Sequence, residues 1–131
     1  MVATCDKNNK PIADLQTALF TATGCQAGGG AYLCSSFAPI PVNDTLSYGF
    51  AIQVTGNNNV GDNPNCCKCY EVNWTSGPAS EKNKRMIVQI VTPGGTGGDV
   101  KVGDLIILSP GGGLGPFDTG CARQYGNTFD W

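Results

Sequence analysis

The chain of 131 residues contains no histidine and few charged residues. Without histidine, metal sites built on imidazole are excluded, and acid–base catalysis has to come from carboxyl groups. Only 14% of the residues are charged and the net charge is -2, which argues against nucleic acid as the main ligand. No apolar run approaches the roughly 20 residues of a membrane-spanning helix, so we expect no membrane partner.

The length is that of one domain, and we expect residues 1–131 to fold around a single core. A core of that size needs no partner subunit, so the expected state is a monomer. The chain opens at Met1-Val2-Ala3-Thr4 without an apolar signal segment. Secretion would therefore require that a signal was removed or that the chain is a piece of a longer protein.

Cysteine is frequent for a chain of this size, with seven residues: Cys5, Cys25, Cys34, Cys66, Cys67, Cys69 and Cys121. That density favours an oxidising compartment with disulfides, and hence a secreted, extracellular protein. The odd number leaves at least one thiol without a partner in the chain. The alternative is that the cysteines of residues 66–69 bind zinc, but structural zinc sites usually combine two separated cysteine pairs. We therefore expect disulfides, no metal site and no cofactor.

The local pattern predicts mainly β structure. Residues 66–75 alternate between apolar and polar side chains, residues 85–92 are rich in β-branched residues, and residues 105–108 form a shorter apolar run. A short helix is expected after Pro11, and a second one over residues 46–52, capped by Asn43 or Asp44 but weakened by Gly49. Long glycine-rich loops separate these segments. Such a pattern is typical of a small closed barrel or a sandwich, and a barrel avoids exposed sheet edges.

Several stretches, in order, resemble the endoglucanases of glycoside hydrolase family 45. They are residues 24–34, residues 41–51 (PVNDTLSYGFA), residues 66–78 (CCKCYEVNWTSGP), residues 97–99 (GGD), residues 110–118 (PGGGLGPFD) and Cys121. The resemblance covers nearly the whole chain. It implies a six-stranded double-psi β-barrel with long glycine-rich loops and one or two short helices, as in expansins. It also implies hydrolysis of β-1,4-glucan, in cellulose or related polymers, with inversion.

Inverting hydrolysis needs two carboxyl groups roughly 6.5–9.5 Å apart, one acting as acid and one as base. The family's base lies in an N-terminal TRYWDCC segment that this chain lacks, so we expect the base to be absent. Aligned without gaps, Ile106 occupies the position of the acid, whereas a shift of two residues matches Asp104. Asp104 is the candidate acid, with a solvated carboxylate in a turn as the alternative. Asp99 matches an acidic loop residue that assists catalysis, with a turn-forming role as the alternative.

Flat aromatic side chains are the expected platforms for sugar rings, which present apolar C–H faces. Tyr32 resembles a groove residue of the family. Trp74 is a second candidate, although its place in the alternation of residues 70, 72 and 74 also suits the core. Tyr48 and Phe50 are expected in the core because they fall within the predicted second helix. Asp118 matches a family position and is a candidate for substrate binding, not for catalysis.

The resemblance also implies a disulfide pattern. The family's equivalents of Cys5 and Cys34 pair with each other. The equivalents of the other five cysteines pair with an N-terminal segment or a C-terminal extension that this sequence does not contain. These five are free thiols or have paired anew, and the conceivable new bridges are Cys25–Cys121 and Cys66 with either of these two.

Three functions follow from these observations. The predicted function is that of an endo-β-1,4-glucanase, a glycoside hydrolase whose activity depends on a carboxylate that replaces the missing base. The alternative is a non-hydrolytic, expansin-like module that binds and loosens polysaccharide, since expansins also lack that base. A structural or inhibitory secreted protein without a glycan partner is the third reading.

Overall fold

The computed structural model describes residues 4–24, 27–56, 64–96 and 99–110 of the chain. In these residues the protein is mainly β with two short α-helices, which confirms the predicted fold class. The elements in chain order are β1 (Thr4–Cys5), α1 (Leu15–Phe20), β2 (Tyr32–Leu33), a 3-10 turn (Ser35–Phe37), β3 (Ile40–Pro41), β4 (Leu46–Val54), β5 (Cys69–Asn73), α2 (Gly77–Glu81), β6 (Arg85–Gly94) and β7 (Leu105–Ile107). Within the described residues, no helix has the length and apolar character needed to cross a bilayer.

The chain divides into two compact units, one formed by residues 39–108 and the other containing residues 4–38. The first unit holds a five-stranded sheet in the order β3-β4-β6-β5, with β7 paired to β4 as well. Strands β4 and β6 run parallel, and the other pairs are antiparallel. The expected single domain and closed six-stranded barrel remain predictions.

The core of the first unit lies on one face of this sheet. Along β6, Met86, Val88 and Ile90 are buried, whereas Ile87 and Gln89 between them are not. Ala51 of β4 joins the buried side chains, and partly buried residues pack around them: Tyr70, Val72, Leu105 and Ile107. The alternation predicted for residues 66–75 is realised in β5, and residues 85–92, predicted as a strand from their β-branched residues, lie in β6.

The helix expected over residues 46–52 is wrong, because these residues form the nine-residue strand β4. Asn43 acts as a turn residue: its side-chain oxygen accepts hydrogen bonds from the amides of Thr45 and Leu46 at 2.9 Å each, which reverses the chain between β3 and β4. Gly49 serves the sheet, since a Cβ at this position would lie 2.7 Å from Cε of Met86 on the neighbouring strand. The features that suggested a capped helix thus belong to a hairpin.

The second unit is held together by a disulfide between Cys5 and Cys34, the pair that the resemblance implies. The bond links Cys5 of β1 to Cys34, the residue directly after β2, and the two strands pair antiparallel with Cys5 opposite Tyr32. The helix expected after Pro11 begins later, at Leu15, because Pro11 forms a β-bridge with Cys5. Asp14 caps α1 by accepting a hydrogen bond from the Thr17 amide at 2.7 Å.

The cap makes α1 sensitive to acid. The Thr17 hydroxyl and then the Thr17 amide, both hydrogen-bonded to the carboxylate, lower the pKa of Asp14 below its ordinary value of 3.8. A lowered pKa in the folded state stabilises the helix above pH 3.8, and this contribution is lost as the pH falls through the lower, folded-state pKa. Backbone chemical shifts of α1 should therefore move towards coil values below about pH 4. Asp14→Asn should remove this pH dependence, and an unchanged titration in that variant would contradict the assignment.

Candidate functional site

Asp104 lies in a tight turn over residues 101–104, just before β7 in the chain, and this turn contacts the C-terminal end of β4. Its Oδ2 accepts a hydrogen bond from the Lys101 amide at 2.8 Å, and the Asp104 amide donates to the Lys101 carbonyl at 3.1 Å. The Val54 amide donates to the Asp104 carbonyl at 2.9 Å, so the turn is anchored to the last residue of β4. The side chain is exposed. One carboxylate oxygen of Asp104 thus stabilises the turn in an accessible position.

The candidate acid comes just before β7, which begins at Leu105. Ile106, which the ungapped alignment places at the acid's position, is half-buried and pairs with Ile52 of β4. Asp99 is exposed and lies five residues before Asp104 in the same segment. The stretch that connects β6 to β7 therefore carries two accessible carboxylates, of which Asp104 lies beside the C-terminal end of β4.

Two of the candidate aromatic platforms are accessible. Trp74 directly follows β5, and 39% of its surface is exposed, so it does not continue the buried alternation of Tyr70 and Val72. Tyr32 lies on β2 in the second unit and is half-buried. Its ring covers Gly24, where an added Cβ would lie 2.1 Å from Tyr32 Cε1. Asp118 lies outside the described residues.

A groove of about 290 Å³ crosses the outer face of the sheet in the first unit, opposite the core face. Its lining comes from four strands: Ile40, Tyr48, Gly49, Phe50, Cys69, Ile87 and Gln89. Tyr48 is opposite Ile40 on one side and Ile87 on the other, which places their side chains in one row across the strands. The groove is apolar with one amide and one thiol, a composition that suits the apolar face of a sugar ring.

The expectation that Tyr48 belongs to the core is wrong, since 47% of its surface is exposed. This wrong expectation came from the predicted helix over residues 46–52. The side chain of residue 48 points in a different direction in a strand than in a helix, because side chains alternate between the two faces of a strand. Read as a strand, the same residues put Tyr48 and Phe50 on one face and Gly49 and Ala51 on the other. The sequence therefore contained the signal for this groove. The distance along β4 from Phe50 to Val54 is about 13 Å, so the groove is separated from the Asp104 turn.

Three cysteines of the first unit, Cys66, Cys67 and Cys69, are free and exposed. The hydrogen bond between the sulfur atoms of Cys66 and Cys67 raises the pKa of the Cys67 thiol, and the proximity of charge at Cys66 acts in the same direction. In the described part of the chain, no three or more His, Cys, Asp or Glu side chains are arranged to hold a metal ion. Cys25 and Cys121, considered above as a new pair, lie outside that part.

Comparison with known proteins identifies relatives of the chain. The model of glycosyl hydrolase family 45 matches residues 1–130. A Fusarium oxysporum protein named for endoglucanase type K is 41% identical over 124 residues, which cover 94% of this chain and 30% of that protein. Endoglucanase B of Cellvibrio japonicus (strain Ueda107) is 34% identical over 131 residues, which cover 93% of this chain and 22% of that protein.

A solved structure is also similar. The crystal structure of a cellulase from the Antarctic springtail Cryptopygus antarcticus aligns with a TM-score of 0.59 at 34% identity, covering 97% of this chain and 54% of that one. The chain therefore spans about half of the springtail protein and less than a third of the other two relatives.

Proposed function

The chain belongs to glycosyl hydrolase family 45, and we propose that it acts as a secreted endo-β-1,4-glucanase that hydrolyses cellulose or related β-glucans with inversion. The observation that carries this proposal is the match to the family over residues 1–130, together with relatives named as endoglucanases. The Cys5–Cys34 disulfide supports an extracellular location. The proposed form is a monomer that needs no cofactor.

Asp104 is proposed as the general acid. Its Oδ2 accepts a hydrogen bond from the Lys101 amide, which leaves Oδ1 to carry the proton that is transferred to the glycosidic oxygen as the bond breaks. The carboxyl group is held by the turn and is accessible to a polymer. In the same step a water molecule attacks the anomeric carbon from the opposite side and gives its proton to a second carboxylate roughly 6.5–9.5 Å away, which has to replace the base that the chain lacks.

Asp99 is proposed to assist this step. Its carboxylate is exposed on the segment that leads to Asp104. The transition state of glycoside hydrolysis carries positive charge on the sugar ring, and a fixed negative charge nearby stabilises it. The role is supportive because Asp99 transfers no proton in this scheme.

Glucan binding is proposed to use exposed rings. Trp74 and Tyr32 are the candidate platforms, and Asp118 is proposed as a polar contact with the sugar hydroxyl groups. The groove with Tyr48 and Phe50 on the outer face of the sheet offers a further apolar surface of suitable size.

The test of this proposal is the release of reducing ends from carboxymethylcellulose between pH 4 and pH 8 by a folded sample of the chain. The proposal expects release, with newly formed ends in the α configuration that inversion of a β-linkage gives. Ends in the β configuration would contradict inversion, and no release at any pH would contradict hydrolysis by this chain. Retention on cellulose without release would instead support the expansin-like module.

Replacement of Trp74 by alanine is expected to weaken retention on cellulose about tenfold, which corresponds to about 1.4 kcal/mol. The reason is the loss of a flat, 39% exposed ring that would stack on a sugar face. The measurement is a binding isotherm on microcrystalline cellulose. Phe20→Ala is the control, since Phe20 is an 83% exposed ring on α1 with no proposed role, and its isotherm should not change. Equal losses in both variants would show that Trp74 is not a specific platform.

A further inference from the structure

The chain contains two sequences in which asparagine is followed by one residue other than proline and then by threonine. They are Asn43-Asp44-Thr45, the first sequon, and Asn73-Trp74-Thr75, the second sequon. This pattern is the acceptor for N-linked glycosylation in secreted proteins. The structure shows which of the two asparagines is better placed to carry a sugar.

The first sequon lies at the tip of the hairpin between β3 and β4. Residues 41–45 are all exposed. The Val42 amide donates to the Leu46 carbonyl at 2.9 Å, and the Asn43 amide donates to the same carbonyl at 3.2 Å. These two hydrogen bonds close the loop. The first sequon is therefore displayed on an accessible, well-defined turn.

The side chain of Asn43 is held in one orientation. Its Oδ1 accepts hydrogen bonds from the Thr45 and Leu46 amides at 2.9 Å each and from the Thr45 hydroxyl at 3.2 Å. Backbone amides only donate, so they require the carboxamide oxygen on this side and leave the nitrogen on the other. Within the described residues, Nδ2 of Asn43 has no hydrogen-bond partner. The atom that would carry the sugar is thus the one that the turn does not use.

A sugar on Nδ2 of Asn43 is compatible with this turn. N-glycosylation leaves the amide oxygen as an acceptor, so the three hydrogen bonds to Oδ1 can persist. Both partner residues, Thr45 and Leu46, lie within three positions of Asn43. Because the turn depends on local contacts, it can form before the sheet is complete. Attachment of the sugar therefore conflicts neither with the folded hairpin nor with its formation.

Asn73 of the second sequon is less well placed. It is the last residue of β5 and pairs with Arg85 of β6. Its Nδ2 donates to Oε1 of Glu71 at 3.1 Å, and Oε2 of Glu71 lies 3.5 Å from Nη1 of Arg85. A sugar on this nitrogen would have to fit beside that ion pair. The geometry therefore favours Asn43.

We propose that Asn43 is a site of N-linked glycosylation that carries an oligosaccharide through N-acetylglucosamine. The donor class is an oligosaccharide linked to a lipid through pyrophosphate. The bond between C1 of the sugar and the pyrophosphate oxygen breaks, and the lipid pyrophosphate leaves with the electron pair. C1 bonds to Nδ2, which gives one proton to a base of the transferring enzyme, so nothing is oxidised or reduced. This modification requires the proposed secreted location and does not depend on glucan hydrolysis.

The test is secretion of the full chain from a eukaryotic host by means of a signal peptide, followed by mass spectrometry of tryptic peptides. Trypsin cleaves after Lys68, so the two sequons fall on separate peptides. Peptide N-glycosidase releases the carbohydrate and converts the asparagine that carried it to aspartate, which marks the site by mass. Carbohydrate is expected on Asn43. Thr45→Val should abolish it although Asn43 is kept, whereas Thr45→Ser should retain it because serine supplies the hydroxyl group.

Asn73→Gln is the matched control, since it removes the second sequon and leaves the hairpin unchanged. The carbohydrate on Asn43 should persist in this variant. Circular dichroism checks the fold of each variant. Carbohydrate on Asn73 alone, carbohydrate on neither asparagine of the secreted chain, or carbohydrate on Asn43 that survives Thr45→Val would overturn the proposal. The readout is mass and not activity, so a glycosylated chain that releases no reducing ends would contradict the proposed hydrolysis and still support this site.

Discussion

Asp104→Asn is expected to reduce the kcat/KM for soluble β-glucan by at least about 100-fold, because the amide cannot supply the proton that the leaving oxygen needs. The substitution is nearly isosteric. The amide oxygen of asparagine can still accept the hydrogen bond from the Lys101 amide that Oδ2 accepts at 2.8 Å, so the turn should remain intact. The measurement is initial-rate release of reducing ends, with the melting temperature as the check on folding.

Asp44→Asn is the matched control for this substitution. Asp44 is also an exposed aspartate in a turn, between β3 and β4, and we assign it no role, so its kcat/KM should be unchanged. Asp99→Asn should cause a smaller loss, about tenfold, as expected for electrostatic assistance without proton transfer. Full activity of Asp104→Asn combined with an inactive Asp99→Asn would move the acid to Asp99. Full activity of both variants would remove this segment from the mechanism.

Ile90→Ala is expected to lower the free energy of unfolding by about 3 kcal/mol, the usual cost of truncating a fully buried aliphatic side chain. Ile90 has 0% exposure in the core of the first unit. It also pairs with Ala51 and bonds through its backbone to the turn at residues 67 and 68. A loss of this size is a large part of the roughly 5–15 kcal/mol by which domains are stable. Urea unfolding followed by circular dichroism measures the change.

Ile40→Ala makes the same chemical change at a position that is 57% exposed. It should cost less than about 1 kcal/mol, because most of the side chain is already in water. The difference in unfolding free energy between Ile90→Ala and Ile40→Ala compares the core face with the outer face of the same sheet. Equal losses would show that Ile90 is not part of a packed core.

Strands were predictable from the sequence where the local pattern of apolar residues is typical of a strand. Residues 69–73 alternate between polar and apolar side chains, residues 85–92 are rich in β-branched residues, and each segment lies in a strand. Residues 46–52 were mispredicted because Asn43 and Gly49 can serve either a helix or a hairpin. Only the pairing of β4 with both β3 and β6 selects the strand, and such pairing depends on residues up to 40 positions away.

The candidate site residues remain predictions. The resemblance to the family pointed to Asp99, Asp104, Trp74 and Tyr32, of which the first three are exposed and Tyr32 is half-buried. The resemblance could not supply the environment of each group. The hydrogen bond from the Lys101 amide to Asp104 and the groove that includes Tyr48 required coordinates, since both depend on how a turn and several strands meet.

The sequence alone determined the composition-dependent properties of this protein: the absence of histidine, a cysteine-rich mainly β chain, and membership of glycosyl hydrolase family 45. The tertiary structure decided which side chains share a surface, such as the adjacent sulfur atoms of Cys66 and Cys67 at 3.3 Å and the exposure of Tyr48. The physical reason is that side-chain type is a local property. Burial and the distance between atoms depend on strand register and on backbone angles such as the positive φ of Cys67.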